Sequence, residues 1–559
     1  MRIPRGSAEK LSLYISLIQK CLVSRDDRRS FYQSMRDFYM SGREQDSDAT
    51  ECVYNKIYPH LDQLTAFLYA QETTKFSVTL PATDLKTDAP KSSVASRRLH
   101  DEWHDSNADI MFSQAVLWSL VYSTMIIKVV VQRDKSLKIS LIEPSMFGVL
   151  REDIPTLDSQ QAFVHCYYSS KAELEGMLAE HPRLTQIMEK ITAGQKKPQD
   201  ESGNDRVTEI IASGQIGSAT TSNADIGGMI DGTYELPNVR TDDDLVEMRE
   251  LYVYDDALDD YRVVTIAEPG VIIFDRPMEK MALKREVSFI QICPNPKFDY
   301  FWGDSEVRRL VTLQRMLNRR MSEIDLILNK AANPPAFGYG ITNGPTEEGG
   351  MALNWPGGYL MGQEPTSKFE QLKPDVPSDL WEKLQFIYDM FAETSGMVNV
   401  LQGRGEAGVR SQGHAAELAK LGSSRPKKRA LIIEDALEHL AGIMLKLLAR
   451  YSPDVLVDDK GTKFALAQMD KNCGVKVDAH SSSPAFTEGI KEDAEFLFKS
   501  GVLSPEMLVE LLQPPMLDKI KRDIVDGKVP ATAPIPPQMP GGKKDAGDRS
   551  SNVVPIARA

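Results

Sequence analysis

Residues 303–335, "GDSEVRRLVTLQRMLNRRMSEIDLILNKAANPP", carry the reading of the fold. Val307, Leu310, Leu317, Met321, Ile324, Leu328 and Ala331 recur at helical spacing, Asp304 or Ser305 can cap the first turn, and Pro334 and Pro335 stop the pattern. The spacing predicts one long helix over 304–333. Its remaining faces carry Arg308, Arg309, Arg315, Arg319, Arg320 and Lys330, so the rod is amphipathic and basic.

Downstream, residues 334–377 are thick with Gly and Pro and read as short hairpin-like strands. Phe337, Tyr339, Trp355 and Tyr359 give this insert an aromatic content that favours a docking surface over a plain solvent loop. A second helix is expected over 378–396, with Asp379 and Glu382 as a capping box and Leu384, Ile387 and Phe391 on its apolar side. "VLQGRGEAGVRSQGHAAELAKL", residues 400–421, follows as a glycine-rich loop. Another helical pattern then runs to Tyr451, broken at Pro426. The remainder reads as a short α/β piece, helices near 488–500 and 505–512, and a Pro-rich tail over 529–559 expected to be disordered.

Upstream, apolar residues at three and four predict helix over 9–41, stopped by Gly42, and a second helix from about Glu51. "KFSVTLP" alternates as a strand, and a further helix covers about Ser93 to His104. The uncharged segment from Ile110 to Ile127 is barely long enough to span a bilayer. Its polar residues, and the β-branched run "IIKVVVQ" that begins inside it, favour a buried helix followed by a buried strand. "SLKISLIEP" and "QQAFVHCYYS" read as strands, and "KAELEGMLAEH" as a helix. Residues 194–239 are poor in large apolar groups, rich in Gly, Ser, Thr and Asn, and read as a surface insertion. Beyond it "VEMRELYVYD", "DYRVVTIAE" and "GVIIFD" suggest an antiparallel meander. The fold class expected from this order is α+β.

Composition narrows the function classes. A formal charge of -14 argues against a molecule that clamps nucleic acid over its whole surface, because phosphate neutralisation needs a Lys and Arg surplus at the contact. The cysteines are scattered, with no C-x-x-C pair, which fits a reducing compartment. The N-terminal stripe is helical in period and lacks a signal-peptide cleavage site.

Chemical motifs are weak. Gly403, Gly405 and Gly408 match the G-x-G-x-x-G of dinucleotide-binding turns, but a helix and a few residues precede them in place of a buried strand. No acidic residue stands about twenty positions on, where "RPKKRA" is found instead. The glycines suit a flexible loop better. There is no G-K-S or G-K-T, and no G-x-S-x-G elbow. "HDEWH", residues 100–104, places two imidazoles at i and i+4 without an identifiable third ligand, and reads as a solvated helix face. No catalytic residue, metal ligand or cofactor is therefore assigned. One charge cluster stands out between Leu401 and Ala430: Arg404, Arg410, Lys420, Arg425, Lys427, Lys428 and Arg429 oppose only Glu406 and Glu417. It is either a solvated helix face or a contact for a polyanion.

The order of these elements resembles the portal proteins, the head-to-tail connectors, of tailed bacteriophages. The stretches "FYMSGREQ", "NKIYPHLDQLTAFLYAQETTKFSV", "TMIIKVVV", "IEPSMFGV" and "RSQGHAAEL" carry that resemblance over nearly the whole chain. It implies a mixed α/β wing over 1–303, stem helices over 304–333 and 378–396, and a clip over 334–377 that includes Phe337, Tyr339, Trp355 and Tyr359. A tunnel loop would cover 397–414, a long kinked wing helix 415–451, and a helical crown region 452–528. It further implies a ring of about twelve copies at one capsid vertex in the virion, assembled in the host cytoplasm and surrounding a channel through which double-stranded DNA is packaged and ejected. Its partners would be DNA bound without sequence preference, the terminase large subunit, head–tail adaptor proteins, and the major capsid and scaffolding proteins, with no membrane. The tunnel-loop residues expected at DNA are Gly403, Arg404, Gly405, Gly408, Arg410 and Gly413, and the arginines of the first stem helix would point between subunits or toward the channel. Another minor head protein of a phage, or a nucleotide-binding enzyme, are the alternatives.

Overall fold

A computed structural model describes residues 3, 4, 6–44, 52–69, 74–79, 85–132, 134–178, 184–195, 245–267, 270–278, 286–332, 336–339, 359–362, 369–371, 380–395, 424–451, 455–457, 463–466, 473–477, 497, 498, 500 and 508. The chain divides into two compact units, Met1–Thr487 and Glu488–Ala559.

The first unit is mixed α+β. Its largest sheet is an antiparallel meander of β4 (Phe147–Val149), β5 (Ala162–Ser170), β6 (Leu245–Asp255), β7 (Asp260–Ala267) and β8 (Val271–Pro277), paired in that order. Period-two alternation gives the sheet two apolar faces. Ala162, Val164, Cys166, Leu251 and Val253 pack against helix α1 (Ser7–Cys21), through Tyr14, Leu17 and Ile18. The intervening Phe163, Tyr252 and Tyr261 face Phe289 and Trp302 on the other side. Phe163 and Tyr252 are directly opposed across β5 and β6, and their rings stack at 4.7 Å. A smaller sheet, ordered β3 (Leu137–Ile142), β2 (Met125–Val131), β9 (Phe289–Ile292), completes this aromatic layer.

The largest core is helical. It joins α2 (Arg25–Ser41), α3 (Ile57–Leu68), α4 (Leu85–Asp105) and α5 (Ala108–Tyr122) to three later helices: α8 (Glu306–Ala332), α9 (Leu380–Ser395) and α10 (Ser424–Tyr451). Between β5 and β6 the chain also forms α6 (Lys171–Met177) and α7 (Leu184–Gln195). The uncharged segment is the buried helix α5 running into the buried strand β2, as its β-branched tail predicts. Among the described residues no helix is long and apolar enough to cross a membrane.

Several expectations change. The helix predicted over 9–41 is two helices parted at Leu22–Ser24, because α1 buries its stripe on the meander while Tyr32, Met35 and Phe38 of α2 belong to the helical core. One straight rod cannot reach both. Helix α4 begins at Leu85, upstream of the expected Ser93; its apolar stripe of Val94, Ala95, Leu99 and Trp103 starts only after Pro90, so the first turns leave no periodic signal. Pro426 does not break α10 but stands in its first turn, where a missing N–H is harmless. The insert after α8 is not built of hairpins alone: β10 (Ala336–Tyr339) lies between β11 (Tyr359–Gly362), which runs parallel to it, and the antiparallel β12 (Phe369–Gln371). A tight hairpin turn cannot join a parallel pair. Finally β1 (Phe76–Thr79) pairs antiparallel with β15 (Gly474–Val477), and β13 (Val455–Val457) with β14 (Lys463–Ala465).

Candidate functional site: the paired helices and their basic face

Helix α8 starts at a built corner. Gly303 adopts φ +66, and the Ser305 hydroxyl accepts from Arg308 N at 3.3 Å while donating to Val121 O at 2.5 Å. Ser305 is therefore the cap, one of the two the sequence offered. One stripe of α8 is apolar, with Val307, Leu310 and Leu317 fully buried. Beside it runs a row of polar side chains spaced by four: Gln314, Asn318 and Ser322. Gln314 donates to Tyr54 O at 2.8 Å and accepts from Lys56 N at 3.0 Å, Asn318 donates to Gly42 O at 2.9 Å, and the Ser322 hydroxyl accepts from Cys52 N at 2.9 Å. These groups clasp the segment between α2 and α3. Sequence reasoning passed over them, although amides at i and i+4 beside an apolar stripe are a legible sign of a backbone clasp.

Arg308, Arg309, Arg315, Arg319 and Arg320 are all exposed, and Lys330 is half-buried. Each of the five arginines has an acidic neighbour within the chain. Arg308 and Arg309 reach Asp304 at 3.6 and 3.3 Å, Arg319 reaches Glu323 at 3.2 Å, Arg320 also meets Glu323, and Arg315 meets Glu44. Exposed pairs of this kind contribute about 0 to 1 kcal/mol and are readily exchanged for other partners.

Arg429 is a different case and corrects the charge cluster read from the sequence. It is buried, donating to both carboxylate oxygens of Glu306 at 3.0 and 3.2 Å and to Asn295 Oδ1 at 3.0 Å. It cannot meet a polyanion. It ties the second turn of α10 to the first turn of α8, and its Nη1 has no hydrogen-bond partner. Of the other basic residues in the cluster, Lys428 is exposed and Lys427 half-buried. Arg404, Arg410 and Lys420 lie outside the described residues, as do the expected tunnel-loop residues Gly403, Gly405, Gly408 and Gly413; only the backbone of Arg425 is described.

In the insert, the backbones of Phe337 and Tyr339 lie in β10 and that of Tyr359 in β11, with Phe337 opposite Leu360 and Tyr359 opposite Ala336; Trp355 lies outside the described residues. His100 and His104 are exposed, and no group of three metal-ligating side chains occurs among the described residues.

His60 of α3 is buried beside Arg429, with its Nε2 unpartnered. Burial first, and then the cations of Arg429 and Lys56, push the imidazole down to about 4. The sign follows from linkage. Between pH 6.5 and 4 the unfolded chain binds a proton that the folded chain refuses, so stability falls as pH drops through that window. Up to about 3 kcal/mol is lost by this route. Urea melts at pH 7 and pH 4.5 should show His60→Gln with a flatter acid limb than wild type; an identical limb would remove His60 from the account.

Comparison with protein-family profiles finds no matching family, and comparison with curated proteins finds no relative.

Proposed function

We propose that the chain is a portal protein of the tailed-bacteriophage type, a ring of about twelve copies set in one capsid vertex around a channel for double-stranded DNA. The observation that carries this reading is the arrangement around α8 and α9: two packed helices bracket a strand-bearing insert, and both are rooted in the same core as a mixed α/β body. In the portal layout that body is the wing, the helix pair the stem, and the insert the clip that receives the terminase large subunit and later the head–tail adaptors. Capsid and scaffolding proteins would surround the wing, and the protein would perform no catalysis of its own.

The charge pattern suits a conduit. DNA must be held and yet slide, so its wall should carry few phosphate contacts, since each one releases counterions and adds to affinity. The arginines of α8 are already balanced by Asp304, Glu44 and Glu323, which limits their pull on a duplex. Arg404 and Arg410, repeated around a ring, are the residues this reading assigns to the DNA backbone. The deciding experiment is negative-stain microscopy with native mass measurement on the full chain. A closed ring of about twelve copies with a central opening is expected; a monomer without one overturns the reading. Charge-neutral Arg404→Gln and Arg410→Gln should impair packaging or DNA retention while leaving the ring intact, and unchanged packaging and retention would withdraw the loop's DNA role.

A further inference from the structure

On the side turned away from its packed face, α8 presents Arg308, Arg315, Arg319 and Leu326, and α9 presents Glu382, Phe386, Asp389 and Glu393. All eight are exposed. Within each set the spacings are threes, fours and sevens, so each forms a single ridge along its helix. The first ridge is basic and the second acidic. Apolar groups are left uncovered within and beside them: Trp381 and Phe386 are 64% and 63% exposed, and Leu326 is 49% exposed. Large aromatics so exposed on an ordered helix mark a surface that another surface covers.

We infer that the acidic, aromatic ridge of α9 packs on the basic ridge of α8 in the next copy of this chain, a head-to-tail seam in which Asp389 faces the neighbour's Arg315. The inference rests on the ring reading above. The occupant is a second copy because the complementary charges stand on two helices of the same molecule, and their outward ridges make two different patches in place of one self-complementary patch. Such a contact is heterologous, and repeated by rotation it either closes as a ring or runs on as a filament.

The pairing of Asp389 with Arg315 comes from height along the helices. Gln314 donates to Tyr54 O, and the Tyr54 ring lies 6.2 Å from that of Tyr388, so Tyr388 stands about level with Gln314. Rotation about an axis along the helices preserves height. Asp389 of one copy therefore comes level with Arg315 of the next. Within its own chain the basic ridge pairs with Asp304, Glu44 and Glu323, and Arg308 and Arg315 also lie over the Phe31 and Phe38 rings at 5.9 and 5.2 Å; the ion pairs are largely exposed ones that a neighbour's carboxylates can replace or share.

The test uses the full chain. Arg315→Glu with Arg319→Glu should break the oligomer, Asp389→Lys with Glu393→Lys should do the same, and the four changes together should restore it, each followed by native mass. As a second measurement, Arg315→Cys with Asp389→Cys should give a ladder of disulfide-linked multimers on oxidation, while either single change should not. If wild type is a ring but the charge reversals leave it whole and the cysteine pair gives no ladder, this seam is wrong and the ring reading survives. If wild type is a monomer, both fall together.

Discussion

Arg429→Met should lower the stability of the first unit by about 3 kcal/mol, among the largest losses expected from any single side chain. The change replaces the guanidinium side chain with a shorter apolar one, so Glu306 stays fully buried and loses the cation that meets both its carboxylate oxygens. Breaking one partner of a buried pair costs about 3 to 5 kcal/mol, far more than losing a surface pair. Two features hold the loss at the lower end. Arg309 still reaches Glu306 at 3.5 Å, and Glu306 lies in the first turn of α8, where the helix dipole favours a negative charge. Glu306→Gln combined with Arg429→Met should be milder than the sum of the single changes, because no charge then remains buried. A double-mutant cycle of urea midpoints measures the difference, and strict additivity would show that the two groups do not act as a pair.

Gly303→Ala should cost about as much by another route. At φ +66 an L side chain pays about 1 to 2 kcal/mol for the left-handed conformation alone. A Cβ at this position would also lie 2.4 Å from Cys293 Sγ and 2.9 Å from Asn295 O, and relieving such overlap costs about 1 to 3 kcal/mol more. The two contributions can be separated. Cys293→Ala in the Gly303→Ala background removes the sulfur clash and should recover part of the lost stability, leaving the backbone strain and the Asn295 contact. Thermal melts of the single and double variants decide it; a double variant no better than the single would place the whole cost in the backbone. The consequence reaches α10, because Asn295 accepts from both Asp304 N and Arg429.

How much of this was legible follows from the range of each interaction. Helix α8 was readable almost to the residue, since Val307, Leu310, Leu317 and Ile324 repeat locally and prolines stop the run. Helix α5 leading into β2, and the strands β6 to β8, were equally open to a local reading. The burial of Arg429 was not. In the sequence it is one basic residue of "RPKKRA", and only the fold brings Glu306, 123 positions away, against it. The break after α1 was hidden for a related reason: both halves carry a good helical stripe, and what separates them is the identity of the surface each one covers. Parallel pairing of β10 with β11 is likewise a matter of connection, which a local pattern of apolar residues does not encode.

The pairing of β1 with β15 has a consequence for synthesis. Thr79 and Gly474 meet across this ladder although 395 positions separate them. At ribosomal speeds of about 5 to 20 residues per second, the early strand waits roughly 20 to 80 s for its partner to be made. Throughout that interval its edge is an open template for strands of other nascent chains. Yield in the cell should therefore depend on translation speed and on chaperones that shield the N-terminal third, even where the finished molecule is stable.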